Sequence, residues 1–257
     1  MQATNAFLSP VLEWVWRSSG QVVVLVVLVL GVQRFLGYRL LARWRYSLWF
    51  LVLARLLVPV APTITFAAAD FSAINNPNGA WSYGWMPRTK LEFNLYTKSD
   101  TLFGLIEWTG DFPPDFFTPE SRAPHLSFNP TTDQVEVGNR PLEPRRLTAH
   151  PSPIGQRNVI RWKAPRSGSI EIIAAFEGND LDGTTTDASV YHNGSRLFAG
   201  DVEGFGKPSR VSFCTNITVT AGDAVDFVEG YGSNHTYTRD TTRVDATILE
   251  LTGVIIF

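Results

Sequence analysis

Several residue types that mark particular protein classes are scarce in this chain of 257 residues. It contains one cysteine, Cys214, so an intrachain disulfide scaffold is excluded. The four histidines are widely separated, and none lies in the H-E-x-x-H pattern of zinc peptidases. They occupy positions His125, His150, His192 and His235. A zinc peptidase of that type is therefore not expected.

Other catalytic signals are also missing. The chain has no G-x-S-x-G nucleophile motif and no glycine-rich phosphate loop. Its 22 basic residues against 24 acidic ones give a net charge of −2, so we expect no nucleic-acid partner. We expect no catalytic residues. Paired acids such as Glu177 with Asp180 leave a glycoside-active enzyme open as a weaker alternative, because glycosidases use two carboxylates across a cleft.

Long apolar runs are concentrated near the N-terminus. Residues 18–33 carry no charge, and the run at 47–69 carries only Arg55 and no acidic residue. Crossing a bilayer takes about 20 mostly apolar residues. The pattern therefore predicts an α-helical transmembrane hairpin in residues 1–66, with spans at about 12–33 and 47–66.

The arginines between the two spans indicate the orientation of this hairpin. Positive residues favour the cytoplasmic side, which places the connection inside the cell and residues 70–257 outside it. We expect a bacterial inner-membrane protein whose C-terminal domain is periplasmic or extracellular. An alternative remains open, because the alanines before Asp70 match an A-x-A cleavage signal and cutting after Ala69 would release the domain.

Two short motifs support the hairpin. W-R-Y-x-L-W at residues 44–49 and L-L-x-P-x-x-P at 56–62 resemble the first two helices of the peptidase M56 family of bacterial membrane sensors. That resemblance implies an outside–in–in–out hairpin and a bacterial origin. It does not imply peptidase activity, since the family's zinc motif is absent here.

From residue 70 onward, the pattern is typical of short β-strands. Apolar residues alternate with polar ones around Ile170–Phe176, which indicates a strand with one buried face. Asn193-Gly194 favours a type I′ hairpin turn. Turn signals every 8–12 residues predict an all-β antiparallel sandwich, jelly-roll-like, over 70–257. Cys214 lies in such a strand, and we expect it to be buried.

A second resemblance covers this domain. The segments at 70–85, 159–165, 190–194 and 221–227 together are similar to secreted β-sandwich domains of planctomycete-type bacteria, which often carry PEP-CTERM sorting signals. The resemblance implies a secreted sandwich whose shape is similar to that of carbohydrate-binding modules. It implies no specific function.

Three alternating aromatic residues form the first candidate site. The side chains of Trp81, Tyr83 and Trp85 would share one face of an extended segment. Aromatic faces stack on the apolar faces of sugars, so these residues could form a glycan-binding platform. The alternative is that they fill the core of the sandwich, where large aromatics contribute most to burial.

An acidic segment at 177–187 forms the second candidate site. Its carboxylates Asp180, Asp182 and Asp187 could supply several of the six to eight oxygens that calcium requires. The alternative is a solvated turn, which Asp, Asn and Gly stabilise directly.

These observations together predict a membrane-anchored, non-catalytic module that binds a glycan or another envelope polymer. The alternative is a sensor or interaction subunit that acts through a membrane-protein partner.

Overall fold

A computed structural model describes residues 23, 26–35, 46–50, 52, 63–112 and 123–251. The chain divides into two compact units, one of residues 64–250 and the other of residues 1–63 and 251–257. In the described part of the second unit, residues 26–35 and 46–50 are helical. The unit of residues 64–250 is built from β-strands.

The predicted transmembrane hairpin is not supported and must be corrected. No helix in the described part of the chain is long and apolar enough to cross a membrane. Thr63–Phe66, predicted as the end of the second span, is a β-strand, and residues 64–66 belong to the β unit. β-Branched and aromatic residues there favour extended backbone over helix. Most of the remaining residues of the two predicted spans lie outside the described residues.

Sixteen strands and one short 3₁₀ helix are described. In chain order the strands are β1 Thr63–Phe66, β2 Trp81–Met86, β3 Asn94–Leu95, β4 Lys98–Leu102, β5 Leu105–Thr109, β6 His125–Phe128, β7 Val135–Val137, β8 Arg140–Leu142, β9 Leu147–His150, β10 Arg157–Lys163, β11 Gly168–Gly178, β12 Thr184–His192, β13 Ser195–Gly204, β14 Val211–Val219, β15 Ala224–Gly230 and β16 Thr242–Leu251. The 3₁₀ helix, Lys207–Ser209, lies between β13 and β14.

The strands form two main sheets. The larger sheet has the order β14-β11-β16-β9-β6-β5-β4, with β1 also paired to β16. The smaller sheet has the order β13-β12-β15-β10-β2-β3, and β7 and β8 form a separate hairpin. Pairs such as β11 with β14 and β12 with β13 are antiparallel. The predicted antiparallel β-sandwich is therefore confirmed.

One continuous apolar core lies between the two sheets. The larger sheet contributes the inward residues Ile170, Ile172 and Phe176 of β11, and the smaller sheet contributes Trp162 and Phe227. The alternation predicted for β11 is thus present, with its even-numbered residues facing inward. The Asn193-Gly194 turn joins β12 to β13, and both residues have positive φ angles, of 47° and 78°. A type I′ turn requires that geometry.

Cys214 is exposed, so the expectation that it is buried is wrong. It does lie in a strand, β14, but successive strand residues point to opposite faces, and its neighbour Phe213 is the one packed against the core. The Cys214 Sγ donates to Glu171 Oε1 at 3.3 Å. This hydrogen bond to a carboxylate raises the pKa of the thiol.

Candidate functional site

The aromatic residues predicted to form a surface platform point into the molecule. Trp81 and Tyr83 are 1% and 0% exposed, and Tyr83 Oη donates to the Ala67 carbonyl at 2.8 Å. Trp85 is half-buried, with its ring 5.3 Å from that of Phe112. The three side chains share one face of β2, as expected. That face packs on the core, so the structure places no such platform on the surface.

The predicted calcium ligands are engaged with donors of the protein itself. Asp180 is buried, accepts from the Asp182 backbone N–H at 3.0 Å, and has its pKa raised mainly by burial. Asp182 pairs with Arg239 at 3.2 Å, and Asp187 accepts from the Gly232 N–H at 2.9 Å. Among the described residues, no group of three or more His, Cys, Asp or Glu side chains is placed to hold a metal ion.

A cleft of about 470 Å³ lies beside this acidic segment. Its walls come from the β7–β8 hairpin and from the connection between β13 and β14, and residues of β11 and β16 also line it. Two apolar side chains in it are well exposed, Phe205 at 41% and Leu181 at 56%. Polar side chains lie beside them, namely Gln134, Glu136, Asn179 and Lys207. Small-molecule sites are typically clefts of roughly 300–1,000 Å³, and the volume of this cleft lies in that range.

Close backbone packing holds the wall that carries Phe205. The Gly206 N–H donates to the Gly178 carbonyl at 2.9 Å, and the Ser209 hydroxyl bridges the same two residues. Gly204 and Gly206 have positive φ angles of 96° and 65°, which glycine adopts without strain. A Cβ on Gly178 would lie 2.1 Å from the Gly204 carbonyl oxygen. These glycines allow the chain to turn sharply and leave the Phe205 ring exposed in the cleft.

The opposite wall is held by the β7–β8 hairpin. An apolar cluster beneath it packs Val137 and Leu142 against Leu105 of the larger sheet. Asn179 connects the hairpin to the end of β11, because its Nδ2 donates to the Pro141 carbonyl at 3.1 Å. Both walls are therefore anchored to β11.

A closed ring of ion pairs adjoins the cleft, and three of its six members line it. It alternates three arginines with three carboxylates, in the order Arg243, Glu177, Arg210, Asp245, Arg146 and Glu143, returning to Arg243. The successive N–O distances are 3.0, 3.2, 3.4, 3.1, 3.7 and 2.9 Å. Arg243 and Glu177 are buried, and a buried pair must be closely matched to offset its desolvation. With three arginines and three carboxylates, the ring carries no net charge.

Two further carboxyl groups are buried away from the cleft. Asp240 accepts from the backbone N–H and the hydroxyl of Thr185 at 2.8 and 2.9 Å, and burial raises its pKa to about 6. Glu229 accepts from Asn158 Nδ2 at 2.9 Å, and burial raises its pKa well above the usual value. Both are shielded from solvent, so a ligand has no access to them.

Sequence reasoning did not identify this cleft. Glu177 was recognised as part of the acidic segment, but its partner Arg243 lies 66 residues further along the chain. Phe205 is the one residue with a usable local signal, since it is an aromatic side chain between two glycines. The other wall residues are ordinary polar side chains of loops and strand ends.

Comparisons with known proteins leave the family open. No protein-family model matches the chain, and no curated protein matches it. Solved structures do match. A CBM51 module from Clostridium perfringens GH95, in complex with methyl-galactose, is 9% identical at a TM-score of 0.31, over 73% of this chain and 99% of that one.

Two other solved structures match over shorter stretches. TmCBM61 in complex with β-1,4-galactotriose is 16% identical at a TM-score of 0.28, over 41% of this chain and 70% of that one. CBM51-2 of Clostridium perfringens ZmpB, in complex with GlcNAc, is 13% identical at 0.29, over 41% of this chain. This chain spans 22% of the ZmpB chain. At such TM-scores these matches carry no functional argument. The argument for a function rests on the cleft itself.

Proposed function

We propose that this protein is a non-catalytic carbohydrate-binding module and that its ligand occupies the cleft beside Phe205. The observation that carries the proposal is the pairing of exposed apolar side chains, Phe205 and Leu181, with amide and carboxylate side chains in one cleft. A sugar ring has an apolar face that stacks on an aromatic ring and hydroxyl groups that both donate and accept hydrogen bonds. The cleft offers partners for both.

The charge arrangement favours a sugar over a phosphorylated ligand. Phosphate recognition uses arginine forks that are available to the ligand. Here Arg243, Arg210 and Arg146 are each held by carboxylates of the ion-pair ring. An extracytoplasmic location in a bacterium is part of the proposal, because envelope and environmental glycans lie there.

The same ring favours binding over hydrolysis. A glycosidase needs one carboxylic acid that donates a proton and one carboxylate that acts as base or nucleophile. Glu143 and Glu177 both line the cleft, but a single guanidinium, that of Arg243, binds the two of them at 2.9 and 3.0 Å. Their geometry is that of a structural network, with both carboxylates engaged.

A glycan array with the full-length chain tests this proposal. We expect binding to at least one glycan class and a loss of about tenfold in affinity for Phe205→Ala, since one aromatic contact contributes about 1–1.5 kcal/mol. Phe103→Ala is the matched control, because Phe103 is also exposed but lies at the β4–β5 turn. Absence of any glycan binding, or equal losses in both variants, would contradict the proposal.

A further inference from the structure

A second hollow lies on the same face of the larger sheet as the cleft. It has a volume of about 240 Å³ and is lined by residues of β11, β14 and β16, among them Ile173, Cys214 and Thr247. Two members of the ion-pair ring, Arg210 and Asp245, also line it. The ring therefore separates the cleft from the hollow and belongs to the lining of both.

Strand geometry makes the cleft and the hollow consecutive. On β16 the inward residues Val244, Ala246 and Ile248 belong to the core, so residues 243, 245 and 247 share the outer face. Arg243 lines the cleft, and Thr247 lines the hollow. Four residues of strand extend about 13 Å. The combined depression therefore follows β11 and β16 across the ring.

The hollow continues the mixed character of the cleft. Ile173 is 42% exposed, and Cys214 lies opposite it on the neighbouring strand β14. These two side chains give the hollow an exposed apolar surface, as Phe205 does in the cleft. Hydroxyl groups of Ser212 and Thr247 lie beside them. One ligand could therefore meet the same kind of surface along the whole depression.

Charge limits which polymer fits. Four carboxylates line the two depressions, namely Glu136, Glu143, Glu177 and Asp245. Three basic side chains, Lys207, Arg210 and Arg243, lie among them. An anionic polymer would meet carboxylates, and a cationic one would meet basic groups, in the cleft and in the hollow alike. A neutral chain avoids both conflicts and can hydrogen-bond to either group.

We propose that the ligand is a neutral glycan chain of several sugar units that runs along β11 and β16 from the cleft, over the ion-pair ring, into the hollow. This inference rests on the proposed carbohydrate-binding function. It adds that recognition extends beyond one terminal sugar and that Ile173 and Cys214 contact the chain's far end.

The single cysteine provides a direct test. Cys214 is the one thiol in the chain, so a thiol reagent reports on the hollow alone. The full-length protein is titrated with neutral oligosaccharides of glucose, mannose and galactose, from one to six units, and the rate of Cys214 modification is followed. We expect saturating six-unit ligand of the bound series to slow modification about tenfold or more, and saturating monosaccharide to leave the rate unchanged.

A variant pair separates contact from indirect effects. Ile173→Ser should weaken binding of the six-unit ligand several-fold and leave monosaccharide binding unchanged. Thr218→Ala, an exposed position on β14 outside the hollow, is its control and should change neither. One outcome would overturn this inference and leave the proposed function intact. In it, binding depends on Phe205 but not on the length of the oligosaccharide, and the ligand does not protect Cys214. No binding of any neutral oligosaccharide would overturn this inference, and no binding of any glycan on the array would overturn the proposed function as well.

Discussion

Asp240, which is not part of the ion-pair ring, allows a quantitative test of how burial affects a carboxyl group in this protein. Its carboxyl group is fully buried, and its Oδ2 has no hydrogen-bond partner among the described residues. Burial raises its pKa from the usual 3.8 to about 6. A carboxyl whose pKa is higher in the folded chain binds more protons when folded. Its contribution to stability therefore rises as the pH falls from above 6 toward 3.8.

The size of the effect follows from the two pKa values. They correspond to about 3 kcal/mol in total, of which about 2 kcal/mol is gained between pH 7.5 and pH 4.5. Asp240→Asn cannot ionise, yet it keeps the oxygen that accepts from Thr185. The free energy of unfolding of the wild type, relative to this variant, should therefore rise by about 2 kcal/mol as the pH falls from 7.5 to 4.5. Urea unfolding of the full-length chain at both pH values measures it.

A matched exposed residue controls for general effects of charge. Asp100→Asn, on the exposed strand β4, should leave the difference between the two pH values unchanged. The quantity compared is the free energy of unfolding of the wild type minus that of Asp240→Asn. The reasoning is refuted if this quantity changes between the two pH values by less than about 0.5 kcal/mol, the scatter of ordinary surface substitutions, or changes in the opposite direction.

Three further predictions concern stability and are each measured by urea unfolding at neutral pH. Arg243→Met should destabilise the protein by about 3 kcal/mol, because Glu177 is left buried without its closest partner; an effect near zero would contradict the ring. Trp81→Ala should lower the free energy of unfolding by about 3–5 kcal/mol because it leaves a cavity in the core, whereas the same change at a surface platform would lower it little. Gly178→Ala should cost about 1–3 kcal/mol by its clash with Gly204, and unchanged stability would show that this backbone contact is looser than described.

The sandwich was predictable from sequence because its signals are local. The alternation in β11 and the Asn193-Gly194 turn depend on neighbouring residues alone, and both are present. Local alternation also showed that Trp81, Tyr83 and Trp85 share a face. It could not show which face, because that depends on β2 lying between β10 and β3 with its aromatic side packed on the core.

The cleft was not predictable because it depends on long-range register. Arg243 of β16 meets Glu143, which lies 100 residues away in the connection between β8 and β9. The antiparallel pairing of β16 with β9 aligns Arg243 with Thr148 and so sets the ring's position. The end of the second predicted span misled in the opposite way. Thr63–Phe66 is a mostly exposed strand, and hydropathy alone does not distinguish a short apolar strand from part of a helix.

Hydrogen exchange with mass spectrometry tests the central claim most directly. The full-length chain is compared with and without the neutral oligosaccharide that binds it best. A glycan in the cleft predicts slowed exchange in the β7–β8 hairpin, residues 134–143, and in the Phe205 wall, residues 204–210. Saturating ligand that leaves both segments unchanged and slows exchange only elsewhere, for example in the loop of residues 231–240, would contradict the account.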